Sequence, residues 1–323
     1  MKEYPFVSII IPAKNEESNI ALCLEGIQSL EYPRNKLEVI VVDNGSEDRT
    51  VNIAKSMGAM TFILPNVTIA ALRNYGFYQS KGKFVAFIDA DCIPNAQWLT
   101  IAVRIMLANK NIGVVGGILT LREGGSKYWI EEYWLHYLNS RYRHNKQYVN
   151  TFSSFCFVVR REKMEEVGGF NERLITCEDY DLGYRIFKTG CKIVINKKIK
   201  VVHLRNAKNA YEFFLRQAWQ GRTNLINFLS HEFELKEFTS VIIPIGYLIS
   251  IVCFPVTLLL KMAYPLKWVL AFISFCLPGI ITIRTRIGRN KLRFWGYYYL
   301  WFLYLCARGI GVLFKVDHWK RKD

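Results

Sequence analysis

The segment from Phe84 to Asp91 restricts the fold strongly, because an apolar run of five residues leads directly into two carboxylates. The run Phe-Val-Ala-Phe-Ile predicts a strand that is buried on both faces of a parallel sheet. Asp89 and Asp91 then fall at the carboxyl end of that strand, where open α/β sheets bind ligands. Two carboxylates so close together suit Mg²⁺ or Mn²⁺. A turn that leads into a helix starting near Pro94 explains them equally well on this evidence alone.

Strand and helix patterns alternate up to about residue 235. A helix is predicted over Glu16–Leu30, where apolar residues recur at helical spacing. Alternation of this kind predicts an α/β fold with a mainly parallel sheet and right-handed crossovers. The predicted strands are 6–11, 37–42, 60–64, 84–88, 112–119, 152–159 and 192–202.

Long apolar stretches replace this alternation after residue 235. Val241–Leu260 is twenty residues without a charge, enough for a helix to cross the ~30 Å hydrocarbon core of a membrane. Trp268–Ile283 is a shorter uncharged stretch, and Phe294–Phe314 is interrupted by Arg308. For the last stretch both a span and an interfacial helix stay open, with a span slightly preferred. We therefore predict a domain at 1–235 and a membrane-anchoring region at 236–323 with two or three transmembrane or interfacial helices.

Positive charge is concentrated in the same region. The chain has a net charge of +16, and from residue 236 onward thirteen Lys or Arg against three acidic residues leave +10. Basic residues that flank apolar stretches indicate an anionic membrane surface and no nucleic-acid partner. The loop 284–293 carries five of them and is therefore expected in the cytoplasm. No signal peptide is recognised before the first strand, so the amino-terminal domain is expected there too.

The eight cysteines are scattered without a C-x-x-C pair. This spacing predicts neither a zinc site nor a disulfide framework. Most of the thiols are expected to be buried as small apolar groups.

Further polar residues follow the first two predicted strands. Pro12 to Glu16 follow the first, and Asp43 to Ser46 follow the second. An acidic residue at the second strand end is where nucleotide-binding α/β folds hold a ribose or base, although Asp43 and Ser46 are equally typical of a turn that caps a helix. Arg73, on the helix before the Asp89 strand, has a guanidinium suited to phosphate or is a surface arginine.

Taken in order, these motifs resemble the family 2 glycosyltransferases of GT-A fold. Pro-Ala-x-Asn-Glu, Val-Asp-Asn-Gly-Ser-x-Asp, Ala-x-Arg-Asn-x-Gly and Ile-Asp-Ala-Asp carry the resemblance. It continues in Val167–Glu172 and in Cys177–Arg185, and covers roughly residues 5 to 225. No one of these motifs is specific alone, whereas all of them in this order are strong evidence together.

The resemblance implies an inverting enzyme with a nucleotide-sugar donor and a divalent cation, Mg²⁺ or Mn²⁺. It implies that Asp179 is the general base, that Glu178 and Asp181 support it, and that Asp89 and Asp91 hold the metal and diphosphate. A helix N-terminus rich in acids is the other interpretation of this trio. His203 is either a further metal ligand or a structural histidine. The residues implied in nucleotide-sugar binding are Pro12, Ala13, Asn15, Glu16, Asp43, Arg73 and Asp89.

The sequence departs from processive members of the family, which carry Gln-x-x-Arg-Trp. Here Gln217 is followed three residues later by Gln220, and Trp219 precedes that position. This disfavours a polymer synthase. Aromatic residues between 128 and 148 lie where the family builds its acceptor site, or they pack as an ordinary helix.

We expect transfer of a sugar to a hydroxyl of a lipid-linked or membrane-proximal glycan at the cytoplasmic face of a membrane, in cell-envelope polysaccharide synthesis. A polyprenyl phosphate acceptor is the alternative, but an ionised phosphate needs no general base such as Asp179. Sugar-nucleotide synthesis would require a Gly-rich basic loop after the first strand, which residues 12–17 do not supply. A catalytically inactive nucleotide-binding scaffold is disfavoured by the retained acids. The sequence indicates a class of acceptor, but no particular acceptor molecule, donor sugar or oligomeric state.

Overall fold

The computed structural model describes residues 4–142, 144–222, 235–260, 264–285 and 291–314. The chain divides into two compact units. The first contains the residues up to Glu123 together with Tyr142–Arg205, and the second contains Gly124–Arg141 and the residues from Asn206 onward. The predicted domain boundary at 235 adjoins residues 223–234, which lie outside the described residues, and it stays a prediction.

A curled mixed sheet forms the centre of the first unit, as the α/β prediction requires. Its strands are β1 (Val7–Ala13), β2 (Leu37–Asp43), β3 (Met60–Ile63), β4 (Phe84–Ile88), β5 (Cys92–Pro94), β6 (Ile112–Thr120), β7 (Lys146–Val149), β8 (Cys156–Arg160) and β9 (Lys192–His203). Their order is β3-β2-β1-β4-β8-β6-β9-β5, with β7 beside β9.

Parallel pairing places three strand ends at one edge of this sheet. β1 pairs in parallel with both β2 and β4, and Ala13 lies directly beside Asp43. The polar residues that follow these strands are therefore gathered at the same edge. β8 runs antiparallel to β4 and β6, whereas β9 is parallel to β6 and antiparallel to β5 and β7.

β4 is buried on both faces, as its sequence predicts. Phe84, Ala86 and Ile88 belong to one apolar cluster, and Val85 and Phe87 belong to another. Successive side chains of a strand point to opposite faces, so the sheet is covered on both sides here. The covering helices of the first unit include α1 (Ile20–Gln28), α2 (Thr50–Ser56), α3 (Ile69–Gln79), α4 (Trp98–Ala108), α6 (Arg161–Glu166) and α7 (Glu178–Lys188), numbered along the chain.

The prediction of a helix that starts near Pro94 is wrong. Cys92–Pro94 forms β5, which pairs with Val201–His203, and α4 starts at Trp98. Asn95 explains the delay, because its amide group exchanges hydrogen bonds with the backbone of Lys198 and Lys200. β7 was also missed, β8 starts at Cys156 instead of residue 152, and α1 starts at Ile20 instead of Glu16.

The second unit is helical. It contains α5 (Trp129–Ser140), α8 (Ala210–Gly221), α9 (Leu235–Leu259), α10 (Tyr264–Arg284) and α11 (Lys291–Leu313). Two stretches, Thr239–Leu259 and Tyr264–Arg284, are long and apolar enough to cross a membrane. α11 is not among them. Arg286 and Arg289 of the basic loop, and the tail 315–323, lie outside the described residues.

α8 and α11 pack at very short range through small residues. The position of a Cβ on Gly311 overlaps the backbone of Ala218, and one on Gly221 would lie 2.9 Å from the Arg308 carbonyl oxygen. The Arg308 guanidinium also donates to the side-chain oxygens of Gln217 (3.3 Å) and Gln220 (3.0 Å). An arginine of α11 thus reaches the position where processive family members carry their own arginine.

Candidate active site

Arg73 connects the first carboxylate after β4 with the start of α7. Its guanidinium donates to Asp89 Oδ1 at 2.8 Å and to Glu178 Oε1 at 2.5 Å, and its side chain is only 1% exposed. The Phe170 ring lies 5.5 Å from the guanidinium carbon. A buried charge is stabilised only when it is paired, and here one fork satisfies two carboxylates. The sequence placed Arg73 near the nucleotide, whereas in the structure its fork is engaged by these two acids.

Asp179, the predicted base, is held by backbone groups. Its Oδ2 accepts the N–H of Ser154 and its Oδ1 accepts the N–H of Tyr180, both at 2.8 Å. Burial, followed by the charge of Glu178, raises the pKa of Asp179 to about 6. Cys177, two residues earlier, has a φ of +61°, a left-handed conformation that costs free energy in a residue with a side chain. The backbone just before α7 is therefore strained, and the two N–H groups hold Asp179, the second residue of α7, in a fixed orientation.

Glu178 and Asp181, the two predicted supporting residues, have different partners. Glu178 is bound to Arg73, which is buried, whereas Asp181 Oδ2 accepts two hydrogen bonds from Arg185 on the same helix, at 2.8 and 2.5 Å. Glu178 is linked through Arg73 to Asp89.

The predicted metal ligands Asp91 and His203 lie together. His203 Nε2 is 3.7 Å from Asp91 Oδ2, and their side chains are 8% and 13% exposed. Cys92 completes a group whose ligand atoms all lie within 4.8 Å of one another. Carboxylate and imidazole are ligands that divalent cations accept, so these residues fit the implied metal. Asp89 lies two residues before Asp91. Burial raises the pKa of Asp89 to about 6 against the opposing charge of Arg73, and the charge of Asp91 raises it further.

Glu16 forms an ion pair at the same edge. Its Oε1 lies 2.6 Å from Arg205, and Asn19 donates to its Oε2 at 2.7 Å. Burial and then the negative charge of Asp91 raise the pKa of Glu16 to about 7. Asp91 therefore acts electrostatically on the loop that follows β1.

The loops after β1 and β2 are fastened to each other. Asn15 has a left-handed backbone conformation with φ of +53°. Its backbone N–H donates to Ser46 Oγ, and its side-chain Oδ1 accepts the backbone N–H of Glu47. Asp43 is fully buried and accepts two hydrogen bonds from Ser46. Pro12 and Ala13 are the last residues of β1. The predicted nucleotide-sugar residues on these two loops thus lie together, while their contacts with a donor stay predictions.

Carboxylates outnumber guanidinium groups in this group of residues. This group contains two arginines, Arg73 and Arg205, and five acidic side chains. It therefore carries excess negative charge, which a divalent cation would neutralise. The acidic side chains are Glu16, Asp89, Asp91, Glu178 and Asp179.

Three participants were not predicted from the sequence. Arg205 follows His203 by two residues, and Cys92 directly follows Asp91, so proximity to a motif was a usable signal for both. The Ser154 N–H that binds Asp179 had no such signal, because it is a backbone group 25 residues away in the chain.

Comparison with known proteins identifies the family of the chain. A family model described as glycosyl transferase family 2 matches residues 8–168. The chain belongs to this family. It is therefore a glycosyltransferase.

Two curated relatives support the family. Glycosyltransferase AglE of Haloferax volcanii is 36% identical over 186 residues, which cover 54% of this chain and 59% of the relative. A Methanococcus voltae enzyme, dolichyl N-acetyl-alpha-D-glucosaminyl phosphate 3-beta-D-2,3-diacetamido-2,3-dideoxy-beta-D-glucuronosyltransferase, is 25% identical over 223 residues, 60% of this chain and 65% of the relative. The chain thus spans less than two thirds of the length of either relative.

A solved structure matches almost the whole glycosyltransferase chain. Mannosyltransferase PcManGT from Pyrobaculum calidifontis, in complex with GDP-Man and Mn²⁺, superposes with a TM-score of 0.67. The match covers 98% of this chain and 89% of that protein at 18% identity. At this identity the likeness shows the fold, which is GT-A, as the motifs predicted.

Proposed function

We propose that this glycosyltransferase moves a sugar from a nucleotide-sugar donor to a hydroxyl of a lipid-linked or membrane-proximal glycan, with inversion at the anomeric carbon. The observation that carries the proposal is the setting of Asp179. This carboxylate is oriented by two backbone N–H groups, and its neighbour Glu178 is connected through Arg73 to Asp89. Direct displacement at the anomeric carbon requires a base close to the group that binds the departing diphosphate. The connection from Asp179 to Asp89 would hold both in place.

In the proposed reaction the acceptor oxygen attacks the anomeric carbon while the bond from that carbon to the diphosphate oxygen breaks. The proton of the acceptor hydroxyl passes to Asp179, and the nucleoside diphosphate leaves with the bonding electrons. Attack opposite to the leaving group inverts the configuration. With a pKa of about 6, Asp179 is mostly ionised at pH 7 and still basic enough to take a proton in the transition state.

The residues that would hold a divalent cation are Asp91 and His203, with Asp89 beside them. When bound, such a cation stabilises the charge that develops on the departing diphosphate. Arg73 acts separately from it, since its pairing with Asp89 and Glu178 fixes both acids in place.

The acceptor class follows from the need for a base. A phosphate acceptor is already ionised at neutral pH, whereas a sugar hydroxyl must lose its proton as it attacks. The M. voltae relative is named for transfer to a dolichyl-linked N-acetylglucosaminyl phosphate, which is an acceptor of the lipid-linked kind. α9 and α10 are apolar enough to hold the protein at a membrane containing such a lipid.

The proposal is tested with the purified full chain, Mn²⁺ and a panel of nucleotide sugars, each offered with a lipid-linked sugar or a bare polyprenyl phosphate. Transfer to the lipid-linked sugar is expected, and it should fall sharply in Asp91→Asn or in excess chelator. Full activity of Asp91→Asn, or of the wild type in chelator, would contradict the metal assignment. Preferential glycosylation of the bare phosphate would contradict the hydroxyl acceptor.

A further inference from the structure

Cys92 and His203 lie directly opposite each other in the β5–β9 ladder. Opposed residues of an antiparallel pair project to the same face with Cβ atoms about 4.5–5.5 Å apart. Asp91 immediately precedes Cys92, and its two oxygens lie 3.7 Å from Cys92 Sγ and 3.7 Å from His203 Nε2. A carboxylate, a thiol and an imidazole thus converge on one point.

The spacing of these atoms is close to that of a zinc site. Zn–S bonds of about 2.3 Å and Zn–N or Zn–O bonds of about 2.0–2.2 Å in a tetrahedron separate neighbouring ligand atoms by about 3.3–3.6 Å. Asp91 Oδ1 lies 3.7 Å from Cys92 Sγ and Asp91 Oδ2 lies 3.7 Å from His203 Nε2, both close to that range. One ligand atom from each of the three residues lies within 4.8 Å of the others, so a shift of about an ångström would close the group around an ion. Three protein ligands leave a fourth position for water or another ligand, as in open zinc sites.

The ligand types also discriminate between cations. Mg²⁺ and Mn²⁺ prefer oxygen ligands, and a thiolate contributes little to holding them. Zn²⁺ accepts thiolate, imidazole and carboxylate together. Cys92 is therefore a ligand that favours zinc at a position where the family 2 reaction calls for a harder cation.

We propose that Asp91, Cys92 and His203 form a zinc site, and that Zn²⁺ bound there excludes the Mg²⁺ or Mn²⁺ that serves the nucleotide-sugar donor. Zn²⁺ excludes the harder cation because both cations need Asp91 as a ligand. This competition rests on the proposed function, whereas the zinc site itself does not. Zinc would thus act as an inhibitor that competes with the harder cation.

The proton balance of zinc binding is simple. The Cys92 thiol releases its proton to solvent and binds as thiolate, so binding releases one proton. The backbone N–H of Arg205 donates to His203 Nδ1 at 3.3 Å. A neutral His203 ring therefore carries its proton on Nε2. Binding of Zn²⁺ at Nε2 moves that proton to Nδ1 and gives up this long hydrogen bond.

Cobalt(II) reports thiolate ligation without any enzyme assay. Metal-free full chain in detergent, titrated with Co²⁺, is expected to develop a thiolate-to-cobalt charge-transfer band in the near ultraviolet, which Zn²⁺ then removes. Cys92→Ser should lose the band and bind Zn²⁺ at least about tenfold more weakly, the lower end of what even outer-shell changes cost. Cys156→Ser is the matched control, since Cys156 is equally buried but outside the group, and it should keep the band.

Absence of the band in the wild-type protein would overturn the zinc site, and this result depends on no variant. Retained zinc affinity in a folded Cys92→Ser protein would overturn it as well. Competition is measured separately, as the increase in the apparent dissociation constant for Zn²⁺ with added Mn²⁺. If Mn²⁺ has no effect on that constant, the exclusion is wrong. Thiolate ligation and competition together with no transfer to any acceptor would leave the zinc site standing and count against the proposed function alone.

Discussion

Three acidic residues in the first turn of α7 have three different environments, so substitutions there separate chemistry from stability. Within the described residues, Asp179 accepts hydrogen bonds from backbone N–H groups, Glu178 pairs with Arg73, and Asp181 pairs with Arg185. All three carry the same charge near the same helix N-terminus, so a general effect of the helix dipole would act on each of them. If Asp179 transfers the proton, its substitution should lower turnover much more than substitution of either neighbour.

We predict that Asp179→Asn lowers transfer by about 10²-fold or more, the usual loss for a missing general base, while donor binding persists. Asp181→Asn is the control, because it removes the Arg185 pair on the same helix and should keep most of the turnover. Glu178→Gln should have a milder effect on turnover than Asp179→Asn. Turnover, nucleotide-sugar binding and thermal midpoint measured on each variant decide the matter. Near-normal turnover of folded Asp179→Asn would show that Asp179 only caps its helix.

The raised pKa of Asp179 predicts a pH dependence. A base works only when deprotonated, so the turnover number should fall as the pH decreases through about 6. Asp89 titrates in the same range, and its protonation would weaken metal and donor binding instead. Measuring turnover at saturating donor and metal separates the two groups. A profile that stays flat down to pH 4.5 at saturation would argue against Asp179 as the base.

Much of this site could be predicted from the sequence, because its acids lie in motifs that keep their spacing. Asp89, Asp91 and Asp179 were singled out in this way. The partners of those residues were not, since a carboxylate motif does not reveal which cation it faces. Arg73 illustrates the difference: its helix was recognised, but its burial between Asp89 and Glu178 depends on a contact across 105 residues.

Secondary structure was predictable where a segment was long and periodic. β1, β2 and β4 lie within a residue or two of their predicted bounds, and each of the three apolar stretches near the carboxyl terminus is a helix. β5 was missed because three residues ending in proline carry no detectable period. Its partner β9 is more than 100 residues away, and that pairing is what brings Cys92 opposite His203.

The contact between α8 and α11 predicts which glycine can be replaced. We expect Gly311→Ala to lower the thermal midpoint in detergent, because its Cβ would collide with the Ala218 backbone and overpacking typically costs about 1–3 kcal/mol. Gly246→Ala in α9 is the matched control, since no described atom lies within 4 Å of its Cβ position. It should leave the midpoint unchanged or slightly higher, as alanine favours a helix. Equal midpoints for both variants would mean that the close packing of α8 and α11 contributes nothing to stability.

The whole chain combines a sheet-based unit that contains the candidate site with a helical unit that contains both apolar helices. Composition alone predicted a change of character near residue 236. It did not predict that Gly124–Arg141 and the residues just after Arg205 group with the carboxyl-terminal helices. Such grouping depends on contacts between segments far apart in the chain, and neither local charge nor hydropathy reports those contacts.

The distribution of charge around the two apolar helices predicts their orientation. Because cytoplasmic loops are rich in Lys and Arg, the segment from Arg284 to Arg293 should face the cytoplasm, and the short connection at 261–263 should face outward. In intact cells an impermeant thiol reagent should label Met262→Cys and should not label Asn290→Cys, in a background where the exposed Cys276 has been replaced. Permeabilised cells should show labelling at both positions, which proves that each probe is reactive. Labelling of Asn290→Cys from outside would show that the helical hairpin has the opposite orientation. Its basic segment would then lie on the side of the membrane away from the nucleotide-sugar pool of the cytoplasm. The proposed cytoplasmic acceptor chemistry would then be wrong as well.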